Sequence, residues 1–76
     1  MTIRAYVLIE VQVGKTKEVV EAIKDLEGVV LVDSVTGPYD AIVTIERGTL
    51  NEIGALVTER LHRINGLSRT VICLAV

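Results

Sequence analysis

From residue 3 to residue 13 every odd-numbered position is apolar: Ile3, Ala5, Val7, Ile9, Val11 and Val13. The even-numbered set is Thr2, Arg4, Tyr6, Leu8, Glu10 and Gln12. A period of two marks a β-strand, because successive side chains of a strand point to opposite faces. The middle of the second face, Tyr6 and Leu8, is not polar. A strand with apolar residues on both faces needs cover on both, and one layer of helices supplies only one.

Gly14 punctuates the strand. Val19, Ala22, Ile23 and Leu26 then recur at the spacing of a helical face, with Lys17, Glu18, Glu21, Lys24 and Asp25 on the other side. Gly28 stands where a left-handed helix end belongs. Residues 29–35 read as a second strand, and Asp33 and Ser34 suit a sheet edge. Residues 41–45 (Ala41, Ile42, Val43, Thr44, Ile45) are apolar on both faces apart from Thr44, which predicts a central strand. Thr49, with Glu52 three residues on, has the pattern of a capping box opening a second helix. Its expected buried stripe is Leu50, Ile53, Val57, Leu61 and Ile64. Gly54 lies on that stripe and predicts a close approach by another backbone. Gly66 repeats the role of Gly28, and residues 67–76 form the last strand.

The order is β-α-β-β-α-β, and the halves echo one another through Leu26-Glu27-Gly28 and Ile64-Asn65-Gly66. Two right-handed βαβ units with this echo predict an α+β ferredoxin-like sandwich: one domain over residues 1–76, a four-stranded antiparallel sheet with two helices on one face. The first and third strands are expected in the centre. The face away from the helices is expected to carry Tyr6, Leu8, Ile42, Ile72 and Leu74, or their alternates one residue over. A chain of 76 residues builds a modest core. Burying that second face contributes about 1.5–3 kcal/mol for each large side chain, which predicts a dimer with sheets packed face to face.

Net charge is −2, and the eight basic residues are scattered, which argues against direct nucleic-acid binding. Arg60, His62 and Arg63 fall where cations complement a helix C-terminus, with Arg69 nearby. Cys73 is the single cysteine, which excludes an internal disulfide and fits a cytoplasmic protein; it reads as a buried, inert thiol. Charges interrupt every apolar run well short of the roughly 20 residues that cross a bilayer, so no membrane association is expected.

Few residues invite chemistry. Gly14-Lys15-Thr16 resembles the end of a phosphate-binding loop, but that pattern needs glycine where Ile9 stands. His62, the one imidazole, falls on a helix flank with Thr58, Ala55 and Asn51 and reads as a surface residue. No set of ligands has metal spacing, and no cofactor or catalytic residue is expected. The stretch Thr36-Gly37-Pro38-Tyr39-Asp40 differs in kind, since Gly-Pro sets a stiff bend that holds polar groups between two strands. Tyr39 and Asp40 point oppositely, so they can line different walls of a pocket but not share one substrate atom. Asp40 either caps the turn or meets a ligand ammonium.

Gly28-Val29, Val35-Thr36-Gly37-Pro38-Tyr39-Asp40 and Gly66-Leu67-Ser68-Arg69-Thr70 resemble, in order and spacing, the effector-binding domain of the Lrp/AsnC feast/famine transcription regulators. The resemblance covers essentially the whole chain. It implies sheet-paired dimers that associate further into rings, and a small effector, usually an amino acid, held between dimers beside the second hairpin. It carries an effector-binding role onto Thr36, Gly37, Tyr39 and Asp40, and onto Thr70. Family members often have a second threonine two residues after the last, where this chain has Ile72. They usually carry an N-terminal helix-turn-helix domain. This chain starts at its first strand, so the resemblance is to a stand-alone module that acts alone or by mixing with full-length regulators. The competing readings are a small dimeric α+β-barrel enzyme with His62 as its base, and an oligomerisation module without ligand.

Overall fold

The computed structural model describes all 76 residues. Strands β1 (Ile3–Val11), β2 (Val29–Ser34), β3 (Ala41–Arg47) and β4 (Leu67–Leu74) form one antiparallel sheet in the order β2-β3-β1-β4. Helix α1 (Thr16–Lys24) links β1 to β2. Helix α2 (Leu50–Ala55) continues through a π-helical turn (Leu56–Arg60) and a 3₁₀ turn (Leu61–Arg63) towards β4. The order, the antiparallel pairing and the central placing of the first and third strands are those the alternation predicts.

The odd residues of β1 and β3 face the helices. Cross-strand pairs Ala5↔Ile45, Val7↔Val43 and Ile9↔Ala41 are buried and pack with Val19, Val20, Ile23, Ile53, Leu56, Val57 and Leu61. Thr49 caps α2: its hydroxyl oxygen accepts from the Glu52 N–H at 3.1 Å and its O–H donates to Glu52 Oε1 at 3.0 Å. The box is therefore half of the expected one, since Glu52 meets the Thr49 side chain and not its backbone. Gly28 and Gly66 hold φ near +97° and +98°, and a Cβ at Gly28 would lie 2.7 Å from Arg47 Cδ. Both glycines are required by backbone conformation and by close neighbours.

Several expectations fail at the helices. Ala22 is exposed and Val20 takes its place in the core, because α1 lies on the sheet with the flank that includes Val20 turned inward. Leu50, the first residue of α2, is 54% exposed, since no preceding turn covers it. Ile64 is half-buried, in extended backbone beyond the 3₁₀ turn. Gly54 has open space where its Cβ would be, so no backbone approaches it. Leu56, left out of the expected stripe, joins Ile53, Val57 and Leu61 inside, since it lies three residues on from Ile53 and so on the same helical face.

The last strand corrects the register of the open face. Ile72 pairs with Val7 and Leu74 with Ala5, so both lie on the helix side, while Val71 and Cys73, opposite Leu8 and Tyr6, share the open face. Cys73 is exposed, not buried, because β4 is an edge strand and nothing in the chain covers its open side. The sequence at Val30 is bulged, so Leu31 and not Val30 stands opposite Thr44.

The packing predicts a contrast between two leucines of one helical segment. Leu61→Ala should lower the unfolding free energy by about 2–5 kcal/mol, the usual range for a buried leucine. Leu50→Ala should change it by no more than about 0.5 kcal/mol. Urea denaturation of both variants checks this, and equal losses would show the core to be misassigned.

Candidate functional site

The β2–β3 connection is drawn onto the end of β1. Val35 N–H donates to the Asp40 carbonyl at 3.0 Å, closing the loop, and Asp40 N–H donates to the Ile9 carbonyl at 2.9 Å. Asp40 Oδ2 accepts from the Val11 N–H at 2.7 Å. The β1–β3 ladder ends at Ile9↔Ala41, so the carboxylate supplies the partner that β3 no longer offers to Val11. Asp40 thus caps the free end of β1, which differs from the expected local cap of its own turn, because its partner lies on another strand. Only one of its oxygens takes part in that bond.

Thr36, Gly37 and Pro38 are exposed, and Tyr39 and Asp40 are half-buried. Gly37 has φ +150° with nothing within 4 Å of a Cβ position, so a side chain there would be strained by the backbone and not by contacts. Thr70 pairs with Ile9, which also pairs with Ala41. The hairpin and Thr70 therefore sit at the same end of the sheet, on either side of β1. Neighbouring strands lie about 4.8 Å apart, which separates β3 from β4 by roughly 10 Å.

The pairing of Thr70 was not legible in the sequence. His62 Nε2 lies 2.9 Å from Thr70 Oγ1, on the exposed side of the 3₁₀ turn. His62, Leu67, Ser68, Arg69 and Thr70 line a cleft of about 370 Å³. Beside it Ser68 Oγ donates to the Glu10 carbonyl at 3.0 Å, and on the open face Arg69 Nη1 lies 3.6 Å from Glu10 Oε2. The spacing of eight residues between His62 and Thr70 carries no periodic signal, because the chain leaves the 3₁₀ turn at Ile64 and turns through Asn65 and Gly66 before β4 begins.

A wider cleft of about 500 Å³ opens at the other end of the sheet, around Arg47, which pairs with Glu27 at 3.5 Å and Glu52 at 3.8 Å. None of the five hairpin residues lines either cleft.

The open face has an ordered arrangement. Its centre is two rows, Leu31–Thr44–Tyr6–Cys73 and Asp33–Ile42–Leu8–Val71. Ion pairs bracket them: Arg4 Nη2 lies 2.6 Å from Glu46 Oε2 on one side, and Arg69 faces Glu10 on the other. The hydrogen bonds that Arg4 donates to Glu46, followed by one involving Tyr6, raise the Arg4 pKa above its usual value. Arg4 is thus a permanent cation at the rim.

An α+β sandwich whose polar groups gather on one clasped hairpin and one edge strand, beside an apolar sheet face, has the make-up of a ligand-binding domain. Residues 4–76 match the profile of the Lrp/AsnC ligand binding domain, and the chain belongs to that family. Its relatives are transcription regulators, not enzymes. An uncharacterized HTH-type transcriptional regulator of Pyrococcus furiosus is 37% identical over 55 residues, which is 72% of this chain and 37% of that relative's length. The chain thus matches only about a third of that regulator. A crystal structure from Thermus thermophilus superposes with a TM-score of 0.93 at 35% identity, covering 97% of this chain and 92% of the other. A Neisseria meningitidis transcriptional regulator solved as an L-methionine complex superposes with a TM-score of 0.88 at 13% identity, over 97% of this chain and 49% of its own, a likeness of fold. No helix here is long and apolar enough to cross a membrane.

The cap role of Asp40 predicts that Asp40→Ala lowers stability by about 1–3 kcal/mol, the cost of leaving the part-buried Val11 N–H without a partner. Asp40→Asn, which keeps an acceptor oxygen, should lose less than half of that. Chemical denaturation measures both, and an Asp40→Ala variant as stable as the parent would remove the cap.

Proposed function

We propose that the chain is a regulatory module that binds an amino-acid effector at subunit boundaries and modulates transcription regulation through its assembly. The observation that carries this reading is the family match over residues 4–76, which takes in both the hairpin and Thr70. The effector-binding residues are Thr36, Gly37, Tyr39, Asp40 and Thr70. Two features support them. Asp40 keeps one carboxylate oxygen beyond its bond to Val11, available to an ammonium. Tyr39 presents a half-buried ring with a polar tip beside it.

Hairpin and Thr70 lie on opposite sides of β1, and no hairpin residue lines the cleft beside Thr70, which favours a site shared between subunits. A site that uses both is completed by a second subunit. The partners are then further copies of this chain, as dimers that associate further, and full-length regulators of the same family, in the cytoplasm where transcription is controlled. The Neisseria regulator was crystallised with L-methionine, which makes methionine the first effector to try here.

The open face supports the dimer. Its centre is apolar and its ends are charged, the anatomy of an interface with a dry core and a polar rim. Sedimentation at micromolar concentration should give a dimer or a larger species. Leu8→Glu, which places a charge in the centre of that face, should shift it to monomer; a parent chain that is already monomeric would end the assembly model.

A thermal-melt screen of the common L-amino acids tests the sensing role. An effector at about 100 times its Kd adds about 2.7 kcal/mol, which raises the Tm of a domain this size by roughly 10–20 °C. Tyr39→Ala should lose at least half of that shift, measured against its own melt without effector. If no amino acid moves the melt, the chain is an oligomerisation module without ligand.

A further inference from the structure

We infer that His62 is a positioning residue of the effector site: it aims the Thr70 hydroxyl into the cleft beside β4, where that hydroxyl meets the effector's carboxylate. This rests on the amino-acid reading above and adds to it a residue and a polarity. The five residues lining the cleft include an imidazole and two hydroxyls and no carboxylate, while Arg69, next to Thr70 along β4, turns its guanidinium to Glu10 on the open face. The cleft therefore suits an anionic group.

The geometry between His62 and Thr70 decides which end of an amino acid the hydroxyl can take. A threonine hydroxyl has one hydrogen to donate and lone pairs to accept with. When His62 Nε2 carries a hydrogen, it donates across the 2.9 Å contact to Thr70 Oγ1, and the hydroxyl hydrogen is free to point at a carboxylate. When Nε2 is bare, the hydroxyl spends its hydrogen on the ring and offers the cleft only lone pairs. An anionic ligand selects the first arrangement. The same contact ties the 3₁₀ turn (Leu61–Arg63) to β4, so the hydroxyl is held before the ligand arrives and less ordering remains to be done on binding.

The opposite end of the amino acid is left to an anionic partner. Asp40 on the hairpin is one; it lies across β1 from Thr70 and does not line this cleft. The cleft then holds the carboxylate and a neighbouring subunit's hairpin the ammonium.

The test is titration calorimetry of L-methionine, and then of each other common L-amino acid, against the parent chain, Thr70→Val, His62→Leu, His62→Gln and the double variant Thr70→Val/His62→Leu. All five proteins should melt alike without ligand, since the His62–Thr70 contact is exposed. Thr70→Val and His62→Leu should each weaken binding about tenfold, the equivalent of one hydrogen bond. The double variant should be no weaker than either single one, because both remove the same interaction. His62→Gln, whose amide can still donate to the hydroxyl, should recover most of the affinity. Binding by His62→Leu equal to the parent, or effects that simply add in the double variant, would overturn the role of His62 and leave the amino-acid reading standing. A parent chain that binds none of the amino acids would overturn both.

Discussion

The central strands β1 and β3 carry apolar residues on both of their faces, and the rest of the molecule follows from satisfying them. On one side the pairs Ala5↔Ile45, Val7↔Val43 and Ile9↔Ala41 are sealed by α1 and the second helical segment. That layer is dry and continuous, and it is where the monomer's stability resides. On the other side Tyr6, Leu8, Ile42 and Thr44 are only partly shielded by their neighbours in the sheet. Two helices cannot cover both faces of four strands, so the second face is either spent on a partner or left to water.

The same two strands also fix where polar groups can collect. β1 outlasts its pairing with β3 by two residues, and the Val11 N–H that this exposes is taken by Asp40. The hairpin is thereby pinned to the central strand and not left to move as a surface loop. On the far side of β1, β4 presents Thr70 in the same row as Ile9. The binding residues implied by the family resemblance thus fall at one end of the sheet, held by backbone hydrogen bonds of the core strands.

Edge position accounts for much of the remainder. β4 is paired on one side only, and its outer half lies beyond the helices, which leaves Ile72, Cys73 and Leu74 exposed on either face. β2 is the other edge, and its bulge at Val30 lets Leu31 turn to the open face. Ion pairs Arg4–Glu46 and Glu10–Arg69 close the two ends of that face. Charges at the rim of an apolar surface do little for stability when exposed, but they set the register in which a second surface can meet it.

The one-dimensional pattern determined the element types and their order. The alternation in β1, the Thr49 and Glu52 cap, and the glycines at 28 and 66 act over a few residues, and local sterics and hydrogen bonding decide them. Gly37-Pro38 likewise announced the bend, and the family motif pointed to Tyr39, Asp40 and Thr70. What the tertiary structure alone decided are the matters of phase and distance. Leu56, three residues beyond Ile53, joined the buried stripe and Gly54 was left facing open space, because how the helix rolls on the sheet is set by packing and not by the local pattern. The pairing with β1 put Val71 and Cys73, not Ile72 and Leu74, on the open face, since a slip of one residue exchanges the two sides. The bonds from Asp40 to Val11 and from His62 to Thr70 join residues 29 and eight positions apart in the chain, and no local rule relates them. They exist because three strands and a distorted helix end converge at one end of the sheet.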